Sequence, residues 1–193
     1  ERLRKFKGAT LRNEAYYFKK SVTWGLITSS KFSARAISDE YAIGDAGPIC
    51  IPADKDYLYI LGFLNSIVAE YIMDFLNPTM NFSSGVIGSL PYIVGDKVIG
   101  YRAEIEDIVT NNVTFSQSDW DSFETSWDFQ KHPLIRCAAF SREEMEQDRK
   151  QHIVDMDYIK EAFNRWDNEC YIRFNQLKAN EEELNRIFID IYG

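Results

Sequence analysis

Residue types that bind nucleic acids are concentrated near the start of the chain. Lys19 and Lys20 precede a β-branched and aromatic stretch that contains Trp24, and residues 29–35 combine serine hydroxyls with a lysine and an arginine. Lysine and arginine bind phosphate oxygens, and small hydroxyl groups bind phosphates or base edges. On strand ends and loops, this composition is typical of a surface that contacts DNA. We expect Trp24 itself to lie in the core, because strand tryptophans usually bury their indole rings.

The charge distribution also indicates that the start of the chain is the part that would contact DNA. Within residues 1–35, nine basic residues are opposed only by Glu1 and Glu14, which gives this segment a charge of +7. The net charge of −8 therefore leaves −15 for the other 158 residues. This asymmetry indicates one surface for a polyanion on an otherwise acidic body, with ordinary solvated lysines as the alternative. The basic residues are Arg2, Arg4, Lys5, Lys7, Arg12, Lys19, Lys20, Lys31 and Arg35.

The elements that must position these residues combine short strands with a helix. Residues 21–28 predict a strand because they are β-branched and aromatic, and the short apolar runs at 49–51 and 92–94 predict strands because proline or glycine bounds them. Apolar residues recur at helical spacing across residues 60–75 and predict one central helix, which the proline after it ends. The wide apolar face of this helix favours burial against the sheet.

The second half of the chain is acidic and has a mainly helical pattern. Residues 159–177 repeat apolar side chains at helical spacing, and Asn180 with Glu183 predicts a capping box that starts a second helix. We expect these two helices to form a hairpin. The predicted fold is therefore α+β. Residues 1–110 would form a mixed small-sheet lobe with a central helix, and residues 111–193 a helical region that ends in the hairpin.

Length and composition indicate a globular protein in a reducing compartment. With 193 residues, of which 45% are hydrophobic and 15% aromatic, the chain can bury one core or two closely packed lobes. No apolar run approaches the roughly 20 residues that span a bilayer, and no secretory signal is recognisable, so we expect a cytoplasmic protein without membrane contact. Because the chain starts at Glu1 and ends directly after an apolar stretch, we expect an excerpt from a longer protein. Three cysteines, odd in number and far apart, predict free thiols at Cys50, Cys137 and Cys170.

Motifs for catalysis are sparse. His132 and His152 each lack a second ligand at metal-binding spacing, and the sequence contains no glycine-rich loop for a phosphate or a dinucleotide. The run Asn-Pro-Thr-Met at 77–80 lacks the second proline and the aromatic residue of amino-methyltransferase loops. We therefore expect this run to terminate a helix and not to catalyse a reaction.

An acidic cluster in the second half could in principle bind magnesium. The spacing of Trp120, Phe123 and Trp127 instead favours aromatic side chains that pack inward while the acids face water. A nuclease would also need a positioned lysine, and Lys131 is the nearby candidate. The acidic residues are Asp119, Asp121, Glu124 and Asp128.

Leu-Asn-Ser at 64–66, followed by a helix and a later Leu-Pro at 90–91, resembles the recognition domains of Type I specificity subunits and Type IIG restriction-modification enzymes. Together with the strings below, this pattern resembles the target-recognition region of large adenine-specific DNA methyltransferases. The most specific string, residues 119–129 followed by His-Pro-Leu at 132–134, resembles the PglX-type methyltransferases of BREX phage-defence systems. The other matching strings are Thr-Trp-Gly-Leu-Ile at 23–27, Phe-Ser-Ala-Arg at 32–35, Leu-Asn-Ser at 64–66, Asn-Pro-Thr-Met-Asn-Phe at 77–82, Leu-Pro at 90–91 and residues 180–186 with 192–193.

The resemblance implies a bacterial parent enzyme that methylates the exocyclic amine of adenine with S-adenosylmethionine. The first lobe would then read double-stranded DNA, and the helical region would join it to the methyltransferase domain of the same parent chain, with other defence-system subunits as further candidate partners. It implies no catalytic, cofactor-binding or metal-binding residue in this chain. The implied contacts are Lys19, Lys20, Lys31 and Arg35 to phosphates, and Ser29, Ser30, Asn81 and Ser83 to base edges or sugars.

Two other functions stay open at this point. The helices after residue 157 could dock protein subunits, with no direct contact between the chain and DNA. The acidic cluster could support a nuclease. Salt-dependent binding to duplex DNA separates the first alternative from DNA recognition, and cleavage with magnesium tests the second.

Overall fold

The computed structural model describes residues 5–7, 13–44, 47–138 and 158–193. The chain divides into two compact units, of which the first comprises Glu1–Val109 with Leu184–Gly193 and the second comprises Thr110–Glu183. The fold is α+β, as predicted. The functional division at residues 110 and 111, into a DNA-reading lobe and a helical support, stays a prediction.

The first unit contains a three-stranded antiparallel sheet. Its strands are β1 (Ser21–Trp24), β2 (Ala34–Ile37) and β3 (Ile49–Cys50), in the order β2-β1-β3. Trp24 lies opposite Ala34 in the register of β1 with β2. The strands predicted within residues 21–28 and 49–51 are thus confirmed over shorter spans, whereas β2 was not predicted as a strand.

Residues 92–94 do not form the strand that their sequence predicts. The backbone carbonyls on this segment bind side chains in place of a neighbouring strand. The hydroxyl of Tyr59 donates to the Ile93 carbonyl at 3.4 Å, and the hydroxyl of Tyr192 donates to the Pro91 carbonyl at 2.7 Å. These bonds satisfy carbonyl groups that a ladder would otherwise use.

The predicted single helix over residues 60–75 is wrong. Two helices, α1 (Tyr57–Leu64) and α2 (Ile67–Leu76), meet at a bend of 75°. The break occurs because the Ser66 hydroxyl accepts from the Ala69 N–H and starts a new helix. Only α1 is largely buried, whereas Tyr71 and Phe75 on α2 are 67% and 76% exposed. As predicted, α2 ends before Pro78.

In the described parts of the chain, no single helix is both long and apolar enough to cross a membrane.

The core of the first unit forms where α1 meets two long helices. These are α4 (Asp96–Trp120), which follows the short α3 (Ser84–Gly88), and α6 (Tyr158–Tyr192). Phe188 is fully buried, and its ring centroid lies 5.5 Å from that of Tyr59 and 5.8 Å from that of Phe63. Gly62 permits this approach, because a Cβ there would lie 2.8 Å from Cγ2 of Val109.

The predicted C-terminal hairpin is wrong, because α6 is one continuous helix of 35 residues. No glycine or proline interrupts its sequence, and most of its residues favour a helix. Asn180, the expected cap of the second helix, lies inside α6 and is 9% exposed. Its carboxamide donates to Asn112 at 2.7 Å and accepts from Gln176 at 2.9 Å, so tertiary partners use the group that the capping pattern assigned to a helix start.

The expected inward packing of the aromatic residues in the second unit is also wrong. Trp120 is 58% exposed, Phe123 47% and Trp127 97%. Helical spacing does not apply after Trp120, because α4 ends there and the chain continues in turns. A further helix, α5, is described over residues 133–138.

Replacing Phe188 with alanine is expected to lower the free energy of unfolding by about 3–5 kcal/mol, because the substitution leaves a cavity between α1, α4 and α6. Phe75→Ala removes the same side chain from an exposed site in the same unit and should change stability by less than about 0.5 kcal/mol. Urea unfolding followed by circular dichroism measures both. Equal losses in the two variants would contradict the assigned core.

Candidate nucleic-acid interface

Two loops of the first unit pair with each other beyond the end of β1. We call residues 25–33 and 77–83 the paired loops. Ile27 forms an isolated antiparallel bridge with Asn81. The Thr28 N–H donates to the Met80 carbonyl at 3.1 Å, and the Phe82 N–H donates to the Leu26 carbonyl at 2.7 Å. The loops therefore form a short two-stranded ribbon from segments far apart in sequence.

An aromatic cluster holds this ribbon against the sheet. Trp24 is 2% exposed, which confirms that it lies in the core. Its indole N–H donates to the Phe82 carbonyl at 2.7 Å. The Phe32 ring lies between the two residues, with centroids 6.2 Å from Trp24 and 5.1 Å from Phe82. One buried side chain of β1 thus anchors both loops.

Asn65, at the break between α1 and α2, fixes the start of β2. Its Oδ1 accepts from the Ala34 N–H at 2.9 Å, and its Nδ2 donates to the Ala34 carbonyl at 3.0 Å. The same Nδ2 donates to the Leu61 carbonyl at 2.9 Å. The carboxamide therefore pairs with β2 as a neighbouring strand would, and it places Arg35, the next residue of β2, at the exposed surface.

The turn at residues 77–81 is closed by its own side chains. The Asn77 Nδ2 donates to the Asn81 carbonyl at 2.9 Å, and the Thr79 hydroxyl donates to Oδ1 of Asn77 at 2.7 Å. The Asn81 N–H donates to the Thr79 hydroxyl at 3.3 Å. Thr79, which occupies the position of the second proline in amino-methyltransferase loops, thus has a structural role here.

All eight predicted contact residues are exposed, but they do not form one cluster. The paired loops bring Ser29, Ser30, Lys31 and Asn81 to one region. Ser83 lies at the end of the second loop, where its hydroxyl accepts from the Val86 N–H at 3.4 Å and caps α3. The remaining three residues, Lys19, Lys20 and Arg35, lie along the sheet.

The cations lie at different distances from the paired loops. Lys19 and Lys20 precede β1, whose four residues separate them from the loops by about 13 Å at about 3.3 Å per residue. Arg35 lies between, opposite Thr23 on β1. Within the residues that the structure describes, these three cations form no ion pair.

Aromatic rings and a carboxylate contact several of these cations. The Lys20 ammonium lies 4.1 Å from the centroid of the Tyr57 ring. Lys31 instead pairs with Glu70 of α2, with 2.8 Å between Nζ and Oε1. The hydrogen bond and charge of Glu70 raise the pKa of Lys31. Lys31 must therefore exchange this carboxylate for a phosphate if it contacts DNA. Three further basic residues of the charge argument, Arg2, Arg4 and Arg12, lie outside the described residues.

The acidic cluster of the second unit makes ordinary structural contacts. The Arg173 guanidinium lies 3.2 Å from a carboxylate oxygen of Asp119, and the Ser126 hydroxyl donates to Asp121 at 2.6 Å. In the parts of the chain covered by the structure, no group of three or more His, Cys, Asp or Glu residues could hold a metal ion. His152 lies outside the described residues.

Two residues of the interface escaped the sequence prediction. Ile27 was predicted to lie within the first strand, but β1 ends at Trp24 and Ile27 is 70% exposed in the loop that follows. Asn65 belongs to a string that carried the resemblance, yet its contact with Ala34 spans 31 residues. The residue that each of them contacts is distant in the sequence. Local sequence patterns could therefore not have indicated the role of Ile27 or Asn65.

Asn65→Ala is expected to lower the free energy of unfolding by about 1–3 kcal/mol, because it leaves the backbone polar groups of Ala34 without a partner. Hydrogen exchange at the Ala34 amide should accelerate. Asn65→Asp keeps the acceptor for this amide and serves as the matched variant, with slower exchange than Asn65→Ala. Equal exchange rates in the wild type and Asn65→Ala would contradict the assigned role.

No family model matches the chain. It is 35% identical over 182 residues, or 94% of its length, to "Adenine-specific methyltransferase PglX" of Lacticaseibacillus casei (strain Zhang). It is 28% identical over 99% of its length to "Adenine-specific methyltransferase BrxX" of Escherichia coli O9:H4 (strain HS). The chain spans 14% of the length of each of these relatives. Over nearly all its residues, the chain is thus homologous to the adenine-specific methyltransferases PglX and BrxX.

Proposed function

We propose that this chain recognises duplex DNA for an adenine-specific DNA methyltransferase of a bacterial phage-defence or restriction system. The paired loops contact the bases, and the nearby cations contact phosphates. A catalytic portion outside this chain binds S-adenosylmethionine and transfers the methyl group. The observation that carries this proposal is the ribbon of the paired loops, which presents exposed polar side chains on a backbone fixed by buried groups.

The shape of the ribbon suits the major groove of DNA. That groove is about 12 Å wide and admits a two-stranded β-ribbon. Base readout also requires side chains held in one geometry, because hydrogen bonds to base edges depend on their direction. The anchor from Trp24 to Phe82 and the closed turn at residues 77–81 supply this rigidity. A mobile loop with the same composition would contact DNA without selecting a sequence.

The charge of the chain limits the affinity that this surface gains from phosphates. With a net charge of −8, the chain as a whole is repelled by DNA. Lys19, Lys20 and Arg35 are available without breaking an ion pair in the described residues. Three or four phosphate contacts give a salt dependence of about −0.9 per contact on logarithmic axes. We therefore expect weak but clearly salt-dependent binding.

Fluorescence anisotropy with random-sequence duplex DNA tests this proposal. Raising the salt from about 50 mM to about 200 mM should weaken binding by about 40- to 150-fold for three to four contacts. Lys19→Gln/Lys20→Gln should lower the magnitude of the salt slope by about 1.8, because it removes two contacts.

Lys131→Gln/Lys178→Gln is the control for that variant. It changes net charge equally, at exposed positions of the second unit, and should leave the slope unchanged. Absence of binding by the wild type at about 50 mM salt, or equal slopes for all three proteins, would contradict the proposal.

Replacing Glu70 with glutamine should tighten duplex binding by about two- to fivefold, because Lys31 no longer loses an ion pair when it meets a phosphate. The same anisotropy titration measures the change. Glu182→Gln removes the carboxylate from another exposed lysine–glutamate pair, with Lys178, and should have no effect on DNA affinity. Weaker binding by Glu70→Gln would show that the carboxylate positions Lys31 for DNA instead of competing with it.

Protein docking by the second unit is the second candidate function. Within that unit, α6 leaves Ile159, Phe163, Ile172 and Phe174 at least half exposed. Apolar side chains on one helix suit a protein partner, such as the catalytic portion of a methyltransferase. This function predicts either no duplex binding or binding that is indifferent to Lys19→Gln/Lys20→Gln, so the same titration separates the two candidates.

A further inference from the structure

We infer that Ile27 and Asn81 together read one A·T base pair in the major groove of the target DNA. This inference rests on the proposed function, because it requires the paired loops to enter that groove. Each of the two residues contacts one base of the pair. Asn81 binds the adenine, and Ile27 contacts the methyl group of the thymine.

The pairing of the loops places both side chains on the same face. Ile27 and Asn81 are directly opposite in an antiparallel bridge. Directly opposed residues project to one side, with Cβ atoms about 4.5–5.5 Å apart. The next residue, Phe82, projects to the other side, where its ring meets that of Phe32. One face of the ribbon is thus anchored to the sheet, and the other presents an apolar and a carboxamide group side by side.

Asn81 combines a fixed backbone with an unused side chain. Its N–H donates to the Thr79 hydroxyl, and its carbonyl accepts from Asn77. Its carboxamide makes no hydrogen bond to any residue that the structure describes. One donor group and one acceptor group therefore face solvent from a position that the turn determines. Such a group suits a ligand that offers an acceptor and a donor in return.

Ile27 is a large apolar side chain on the same exposed face. It is 70% exposed although its backbone is held by the ribbon. Contact with an apolar group on DNA removes this surface from water, which is favourable. The C5-methyl of thymine is the apolar group that the major groove offers.

Among the base pairs, A·T is the one that matches the chemistry of these two side chains. Adenine presents N7 as an acceptor and N6 as a donor, which match the amide nitrogen and oxygen of Asn81. Guanine presents two acceptors at these positions, so the amide oxygen would face O6 without a hydrogen. Cytosine also lacks the methyl group that Ile27 would contact. The hydroxyls of Ser29 and Ser30 each donate and accept, and they therefore discriminate less.

The first arm of the test selects duplexes from a library with a randomised central segment, using the full chain and variants. The wild type should enrich A·T at one position by about 5- to 150-fold, the range for a bidentate base contact. Asn81→Asp should lose that preference and favour cytosine, because a carboxylate accepts from the cytosine N4 amine. Asn168→Ala, at an exposed asparagine of the second unit, should select the same sequences as the wild type.

The second arm uses base analogues at the selected position. Replacing the adenine with 7-deaza-adenine removes N7 and should weaken binding of the wild type but not of Asn81→Ala. Replacing the thymine with deoxyuridine removes the methyl group and should weaken binding of the wild type but not of Ile27→Ala. Near-UV circular dichroism verifies that the variants keep the packing of the aromatic cluster.

The outcomes distinguish this inference from the function on which it rests. If the wild type binds no duplex, the proposed function fails, and the inference fails with it. If the wild type binds without preference at any position, or if Asn81→Asp selects the same sequences, the inference is overturned while DNA binding stands. Equal costs of each analogue for the wild type and the matching variant would also overturn it.

Discussion

The hydrogen bond from the Trp24 indole to the Phe82 carbonyl joins residues that are 58 positions apart in the chain. Closing a loop of that length costs about 3.6 kcal/mol in chain entropy, beyond a constant term. A single hydrogen bond contributes only about 0.5–1.5 kcal/mol net. The bond therefore depends on the contacts of Phe32 with both rings, and on the backbone bonds of the ribbon, to hold the loops together. In return it gives a hydrogen-bond partner to the indole N–H of Trp24, which is 2% exposed.

The break between α1 and α2 shows how a single side chain, that of Asn65, positions the sheet. A straight helix over residues 57–76 would carry Asn65 in its interior, where its side chain competes with the backbone. The break at Ser66 frees the carboxamide to pair with Ala34. That contact fixes β2 without a fourth strand. Because Arg35 follows directly, the helix break also determines where one cation of the proposed DNA surface lies.

Local patterns predicted part of this structure, and contacts between distant residues determined the remainder. The strands at residues 21–24 and 49–50 follow from short apolar runs, and the end of α2 follows from Pro78. The hairpin was predicted from a capping pattern at Asn180, but that carboxamide has a partner 68 residues away.

The candidate site was likewise predictable from local sequence patterns only in part. Ser29, Ser30 and Lys31 are adjacent in sequence, so their proximity was predictable, and all three are exposed. Asn81 joins them only through its bridge with Ile27, and the sequence does not encode that pairing in any local signal. The ion pair of Lys31 with Glu70 was hidden for the same reason, since the two residues are 39 positions apart.

The strings that carried the family resemblance have two separable roles in the folded chain. Trp24, Asn65 and Asn77 use their side chains to hold the loops and the sheet. Ile27 and Asn81 lie in the same strings but contribute only their backbones to this framework, and their side chains face solvent. A substitution at either of these two positions therefore changes the exposed chemistry of the paired loops without removing a side-chain contact that supports them. Under the proposed function, this separation would allow one fold to carry different sequence specificities.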